Sequence, residues 1–189
     1  MRKTLLALAL AALLPAAAHA QTAAADLRAG PAELAKPTNA GVAAMRDVWK
    51  MMTDNVTAAA EEMPDSAYAF KATPEVRSFG QLIGHIAGAQ RLMCASALGE
   101  KGGAEDDIEK TKTTKAELVP ALKESTAYCA RAYAQSDASA AKMTKFFGQD
   151  RTRFFALSLN AAHNGEHYGN IVTYYRLKGM VPPSSRPTR

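Results

Sequence analysis

Between Asn39 and Gly179 apolar residues return every three or four positions in four long stretches, and no stretch alternates apolar with polar as a half-buried strand does. A chain patterned this way has helices, and little else, with which to build a core. In the first stretch, over about 39–63, Val42, Met45, Val48, Met52, Val56 and Met63 recur at helical spacing with Trp49 beside them, and Pro64 ends the run. Trp49, Met45, Met51, Met52 and Met63 read as bundle packing, because the methionines scatter around the helix and do not gather as soft-metal ligands. Residues 64–77 form a connection longer than the usual helix-to-helix turn. Ser78-Phe-Gly-Gln81 fits a capping box that opens a second helix running to about Leu98, and Thr114-Lys-Ala-Glu117 opens a third that ends near Gln135. Pro120 is tolerable there if it kinks the helix or shifts its start. Asp150 is the predicted cap of a fourth helix, which runs through Phe154–Leu177 and stops at Gly179 before Pro182-Pro183. The fold predicted is an all-α four-helix bundle.

The ends of the chain read differently. Arg2 and Lys3 precede the apolar run Leu5 to Leu14, and Ala18-His19-Ala20 supplies small residues at the recognition positions of a cleavage site, so 1–20 reads as a signal peptide. That run is shorter than the roughly 20 residues of a membrane-spanning helix, and no later stretch comes closer. The expectation is a soluble periplasmic or secreted protein with no membrane contact after cleavage. Residues 21–37, Ala-rich with two prolines, read as a mobile leader, 38–181 as the bundle and 182–189 as a C-terminal tail. Losing Arg2 and Lys3 lowers the formal charge excess from +5 to +3, too weak a surplus to argue for nucleic acid.

Two cysteines, Cys94 and Cys129, are too few for a disulfide scaffold or a thiolate zinc site. They lie 16 and 15 residues beyond their respective caps, so both sit roughly 23 Å along their helices. Equal heights suit parallel neighbours; antiparallel packing with flush ends would separate them beyond the roughly 7 Å between Cα atoms that a disulfide spans. The link from Gly99 to Thr113 can extend to about 50 Å, enough to return along a helix of about 30 Å. The topology expected is therefore up-down-down-up, with a crossover between helices two and three. Two buried, reduced thiols are the alternative to the bridge.

With His19 assigned to the signal peptide, the histidines are His85, His163 and His167, all inside predicted helices. His163 and His167 are four apart and project from one face on successive turns, near Asn160, Asn170, Ile171 and Tyr174. Two stacked imidazoles can bind one divalent ion, and His85 on a facing helix can be the third ligand. Asn160, Asn170 and Tyr174 are candidates for the surrounding shell, although Tyr174 on its apolar stripe also reads as a core aromatic. His163-Asn-Gly-Glu166-His167 also matches the H-x-x-E-H pattern of inverted zinc peptidases, in which the glutamate activates water. No acidic residue follows Glu166 to serve as the further ligand those enzymes use, so Glu166 is kept as a catalytic candidate without the peptidase assignment.

The segment Ser78-Phe-Gly-Gln-Leu-Ile-Gly-His85-Ile-Ala, followed by His163-Asn-Gly-Glu-His167-Tyr-Gly-Asn-Ile-Val-Thr-Tyr-Tyr-Arg176 and the closing Gly179…Pro182-Pro183, resembles the DinB-like (DinB/YfiT) superfamily over about residues 40–185. The resemblance implies an up-down-down-up bundle that binds a divalent metal through three histidines, and His85, His163 and His167 take those positions one for one. It also implies thiol-dependent transferases and isomerases that use bacillithiol or mycothiol. Those relatives are cytoplasmic; an exported member meets an oxidising compartment with little such thiol, which puts hydrolysis by a metal-bound water on an equal footing.

Two readings follow. One is a metal-dependent hydrolase or thiol transferase acting on an unknown small molecule; the other is a non-catalytic metal-binding or stress-related helical protein. Three imidazoles serve Zn²⁺, Ni²⁺, Mn²⁺ and Fe²⁺ alike. Monomer and homodimer both remain open.

Overall fold

The computed structural model describes residues 39–187, in which each of the four patterned stretches is a helix. These are α1 (Ala40–Glu62), α2 (Phe79–Leu98), α4 (Lys115–Ala132) and α6 (Arg153–Leu177), with short helices α3 (Asp107–Thr111) and α5 (Asp137–Ala140) in the connections. The segments 1–20 and 21–37 lie outside the described residues. At the start of α2 the Gln81 amide donates to Ser78 Oγ (3.2 Å) and the Ser78 amide donates to Gln81 Oε1 (2.9 Å), so the box closes reciprocally. At the start of α4 the Glu117 carboxylate accepts from the Thr114 amide at 3.1 Å and hydroxyl at 2.8 Å. Pro120 sits inside α4 on its exposed side, where water can satisfy the carbonyl that its missing N–H would have bound.

The fourth helix starts differently from the sequence expectation. Asp150 is not its cap; it belongs to a small antiparallel hairpin of β1 (Met143–Phe146) and β2 (Gln149–Thr152), and Thr152 Oγ1 caps α6 by accepting from the Phe155 amide at 3.2 Å. Strands of four residues with only Phe146 buried carry almost no alternation, and Phe147-Gly148 is not a habitual turn pair, so the periodic signal is absent.

Contacts set the directions of the long helices. From Gln90 against Ser125, through Cys94 bonded to Cys129, to Ala97 against Gln135 just beyond the end of α4, partners along α2 and α4 advance together. Met45 against Ser158, Thr53 against Asn164 and Ala59 against Tyr175 advance together along α1 and α6. Between α2 and α6 the order reverses, with His85 beside His163 and Cys94 beside Asn160. The cysteines form a disulfide with Cα atoms 5.3 Å apart.

Two apolar clusters fill the bundle. One holds Val56, Met63, Phe79, Ile83, Leu118 and Tyr175; the other holds Val42, Trp49, Met93, Leu157 and the disulfide, with Tyr133 stacked on Trp49 at 4.4 Å between ring centroids. Between them lies a buried polar layer. Gln90 Oε1 accepts from Trp49 Nε1 and Asn164 Nδ2, both at 2.8 Å, and Gln90 Nε2 donates to Ser125 Oγ (3.0 Å) and Thr126 Oγ1 (3.1 Å). One glutamine thus ties all four long helices together without leaving its amide unpaired, which is the condition for burying such a group at small cost.

Residues 99–113 do more than connect. Backbone of this segment lies flat on α2, where a Cβ on Gly84 would stand 2.8 Å from Glu109 Cα and one on Gly88 would stand 2.1 Å from the Glu105 carbonyl oxygen. At the other end, Tyr168 Oη donates to Ser184 Oγ (2.8 Å) and Arg186 donates to Glu62, so residues 183–186 pack on the bundle.

Candidate metal centre

His163 and His167 sit one turn apart on α6, and the antiparallel crossing of α2 brings His85 to the same point. His163 Nε2 lies 3.2 Å from His85 Nε2 and 3.0 Å from His167 Nε2, and the ligand atoms of all three rings fall within 4.8 Å of one another. His85 and His167 are 5% and 8% exposed; His163 is half-buried. Burial is the first cause that pulls each imidazole down to about 4, with the neighbouring rings and the Arg77 guanidinium adding to it. All three rings are therefore neutral at pH 7, which is the state that ligates a metal.

The donor set fits a cation. Two nitrogens on one ion at about 2.1 Å stand about 3.0–3.4 Å apart at right-angled to tetrahedral angles; the two separations that end on His163 Nε2 are 3.0 and 3.2 Å, and the third pair lies within 4.8 Å. Without a cation, His163 Nε2 has a single lone pair or a single N–H with which to meet two neighbouring nitrogens. The Nδ1 atoms of His85 and His163 are buried with no hydrogen-bond partner, whereas Asn170 Nδ2 lies 3.2 Å from His167 Nδ1.

Two carboxylates from the crossover complete the surroundings. Glu105 Oε1 is 3.5 Å from His85 Nε2, and Glu109 Oε2 is 3.7 Å from His85 Nδ1. Arg77 Nε donates to both Glu109 oxygens, at 3.0 and 3.1 Å. Glu105 and Glu109 are absent from the sequence reading because 99–113 reads there as a tether. The signal that could have found them is a glycine every fourth residue on α2, Gly80, Gly84 and Gly88, beside His85: a smooth strip of helix invites backbone to lie on it.

A cavity of about 510 Å³ borders His167, walled by Arg77, Leu82, Glu109, Asn170 and Tyr174. The Arg77–Glu109 pair also lines a second cavity of about 660 Å³, next to Ser78, Gln81 and Lys110. Asn170 and Tyr174 both line the first of these cavities, although Tyr174 is also core, and its hydroxyl donates to the Arg77 carbonyl. Asn160 does not: its amide turns to the disulfide, 3.5 Å from Cys94 Sγ, and donates to Tyr133 Oη at 3.1 Å. The face shared with His163 is wide enough that position 160, three residues earlier, meets the disulfide between α2 and α4 and not the imidazole cluster. Glu166 is exposed on α6, close enough for its charge to act on His163.

The family model of the DinB superfamily matches residues 48–171. Among solved structures, a DinB-like protein from Bacillus cereus is similar, with 17% identity, a TM-score of 0.63, and coverage of 74% of this chain and 93% of that one; at this identity the likeness is one of fold. No curated protein matches the chain. The match across most of the helical region, on a mostly helical chain carrying a three-histidine cluster, places this protein in the DinB superfamily.

Proposed function

We propose that this chain is an exported protein that holds one divalent metal ion through His85, His163 and His167, and that it carries out hydrolytic or thiol-transfer chemistry on a small molecule entering the cavity beside His167. The observation that carries the metal reading is the convergence of three neutral imidazoles, with Nε2 separations of 3.0 and 3.2 Å. When bound, Zn²⁺, Ni²⁺, Mn²⁺ or Fe²⁺ supplies Lewis acidity to such a reaction. The chain's own groups do the rest. Arg77 and Asn170 offer donors that can orient a polar substrate, Leu82 and Tyr174 offer apolar wall, and Glu166 is the carboxylate on α6 available for proton transfer. Export is supported by the charged, apolar and small-residue order of residues 1–20 and by the Cys94–Cys129 bridge, since disulfides persist in oxidising compartments.

The second reading, a non-catalytic metal-binding protein, draws on Glu105, whose carboxylate oxygen lies 3.5 Å from His85 Nε2 and could close the coordination shell from the crossover. Both readings share one test. Elemental analysis of the purified full chain should find one equivalent of divalent metal, and H163A should lose it. Retention of metal by H163A, or a wild-type protein that takes up none from buffered Zn²⁺, would overturn the assignment.

A further inference from the structure

His85 presents its Nε2 to the other two rings, so its second nitrogen decides whether the lone pair is free. A neutral imidazole carries one proton. Placed on Nε2, that proton points into the ligand cluster; placed on Nδ1, it needs an acceptor. His85 is 5% exposed and its Nδ1 has no hydrogen-bond partner, so water does not readily serve. Glu109 Oε2 stands 3.7 Å from Nδ1 on a side chain only 13% exposed. This carboxylate is delivered by backbone packing as much as by its own rotamer, because Gly84, immediately before His85, leaves room for Glu109 Cα where a Cβ would stand at 2.8 Å. Arg77 grips both carboxylate oxygens and keeps the charge compensated.

We propose that Glu109 is a positioning residue for His85: it accepts the Nδ1 proton, holding the ring in the tautomer whose Nε2 lone pair faces His163 and His167. The closure required is about 0.7 Å, to reach ordinary hydrogen-bond length. Carboxylates play this part behind many metal-bound histidines. Glu105, 3.5 Å from Nε2, draws the proton the other way when no cation is present, so the Glu109 contact is strongest in the loaded protein.

The proposal rests on the three-histidine reading, and its test separates the two. Zn²⁺ dissociation constants of the full-length wild type, E109A and E109Q would be measured by competition with a chromophoric chelator, and the His85 Nδ1–H resonance of the Zn²⁺-loaded proteins followed by NMR. E109A should weaken binding by about 10–100-fold and speed exchange of that proton with solvent, while E109Q, which keeps an acceptor oxygen, should lose less. Should E109A fail to fold by circular dichroism, a several-fold loss in E109Q carries the test. A wild type that binds no Zn²⁺ defeats both readings. Wild-type binding with both variants within twofold of it, or unaltered exchange of the His85 proton, overturns the Glu109 role alone.

Discussion

His163 is the ring on which the cluster turns, since both short nitrogen contacts end on its Nε2. Its burial, with that of His85 and His167, ties stability to pH in a definite direction. Each ring titrates at about 4 in the folded chain, against about 6.5 when unfolded, so between those values the unfolded state binds more protons. The stabilisation is fully present above pH 6.5 and is lost as pH falls towards 4. The urea midpoint of EDTA-treated protein should therefore drop between pH 7 and 4.5, and a midpoint flat over that range would contradict burial of neutral rings. At this scale the histidines were legible, because an i,i+4 pair is a local pattern and the described residues offer a single further imidazole. Glu105, Glu109 and Arg77 were not legible, because a charged residue in a connector looks solvated until its neighbours are known. Asn160 was misplaced for a related reason: helical phase narrows a residue's direction to a sector, and packing chooses the neighbour within it.

Among the elements, the hairpin before α6 shows local chemistry at odds with its role. Its two-residue turn places Phe147 at φ 46° and Gly148 at φ 77°, as a turn with two left-handed residues requires. Phenylalanine tolerates that conformation poorly, and here it is 65% exposed, so little burial compensates. Replacing Phe147 by Asn should raise unfolding stability by up to about 1 kcal/mol, since the left-handed backbone costs roughly 1–2 kcal/mol and the lost edge contact to Phe146 offsets part of the gain. Denaturant unfolding of F147N measures this, and a fall in stability would show that the ring is held by contacts stronger than the strain. The long helices, by contrast, were legible from caps and periodicity, because those signals act within one turn. Ser78 with Gln81, and Thr114 with Glu117, interact as their spacing suggested. Asp150 resembled a cap equally well, and only strand pairing with Lys145 removed it from that position.

For the molecule as a whole, the Cys94–Cys129 bridge joins α2 to α4 across a loop of 35 residues. In the chain-entropy account, closing such a loop in the unfolded state stabilises by up to about 4 kcal/mol. The double variant C94A/C129A should lose about 2–4 kcal/mol in chemical unfolding. Its metal affinity should stay near wild type, because Cys94 lies nine residues beyond His85, about 13 Å along α2. Unchanged stability would mean that packing alone holds the two helices in register. The buried Gln90 layer works in the same direction, pairing specific partners on all four long helices.

The helices, the matched heights of the two cysteines and the identity of the three imidazoles can be read from the order of residues alone, because caps, periodicity and spacing operate over a few residues and need no knowledge of the partner. Packing of the folded chain makes the rings converge, lays the connector after α2 on a glycine strip with two carboxylates at His85, and opens a cavity beside His167. Those outcomes depend on which faces meet across the bundle. That is settled by the simultaneous burial of many side chains far apart in the chain, and no single window of sequence contains it.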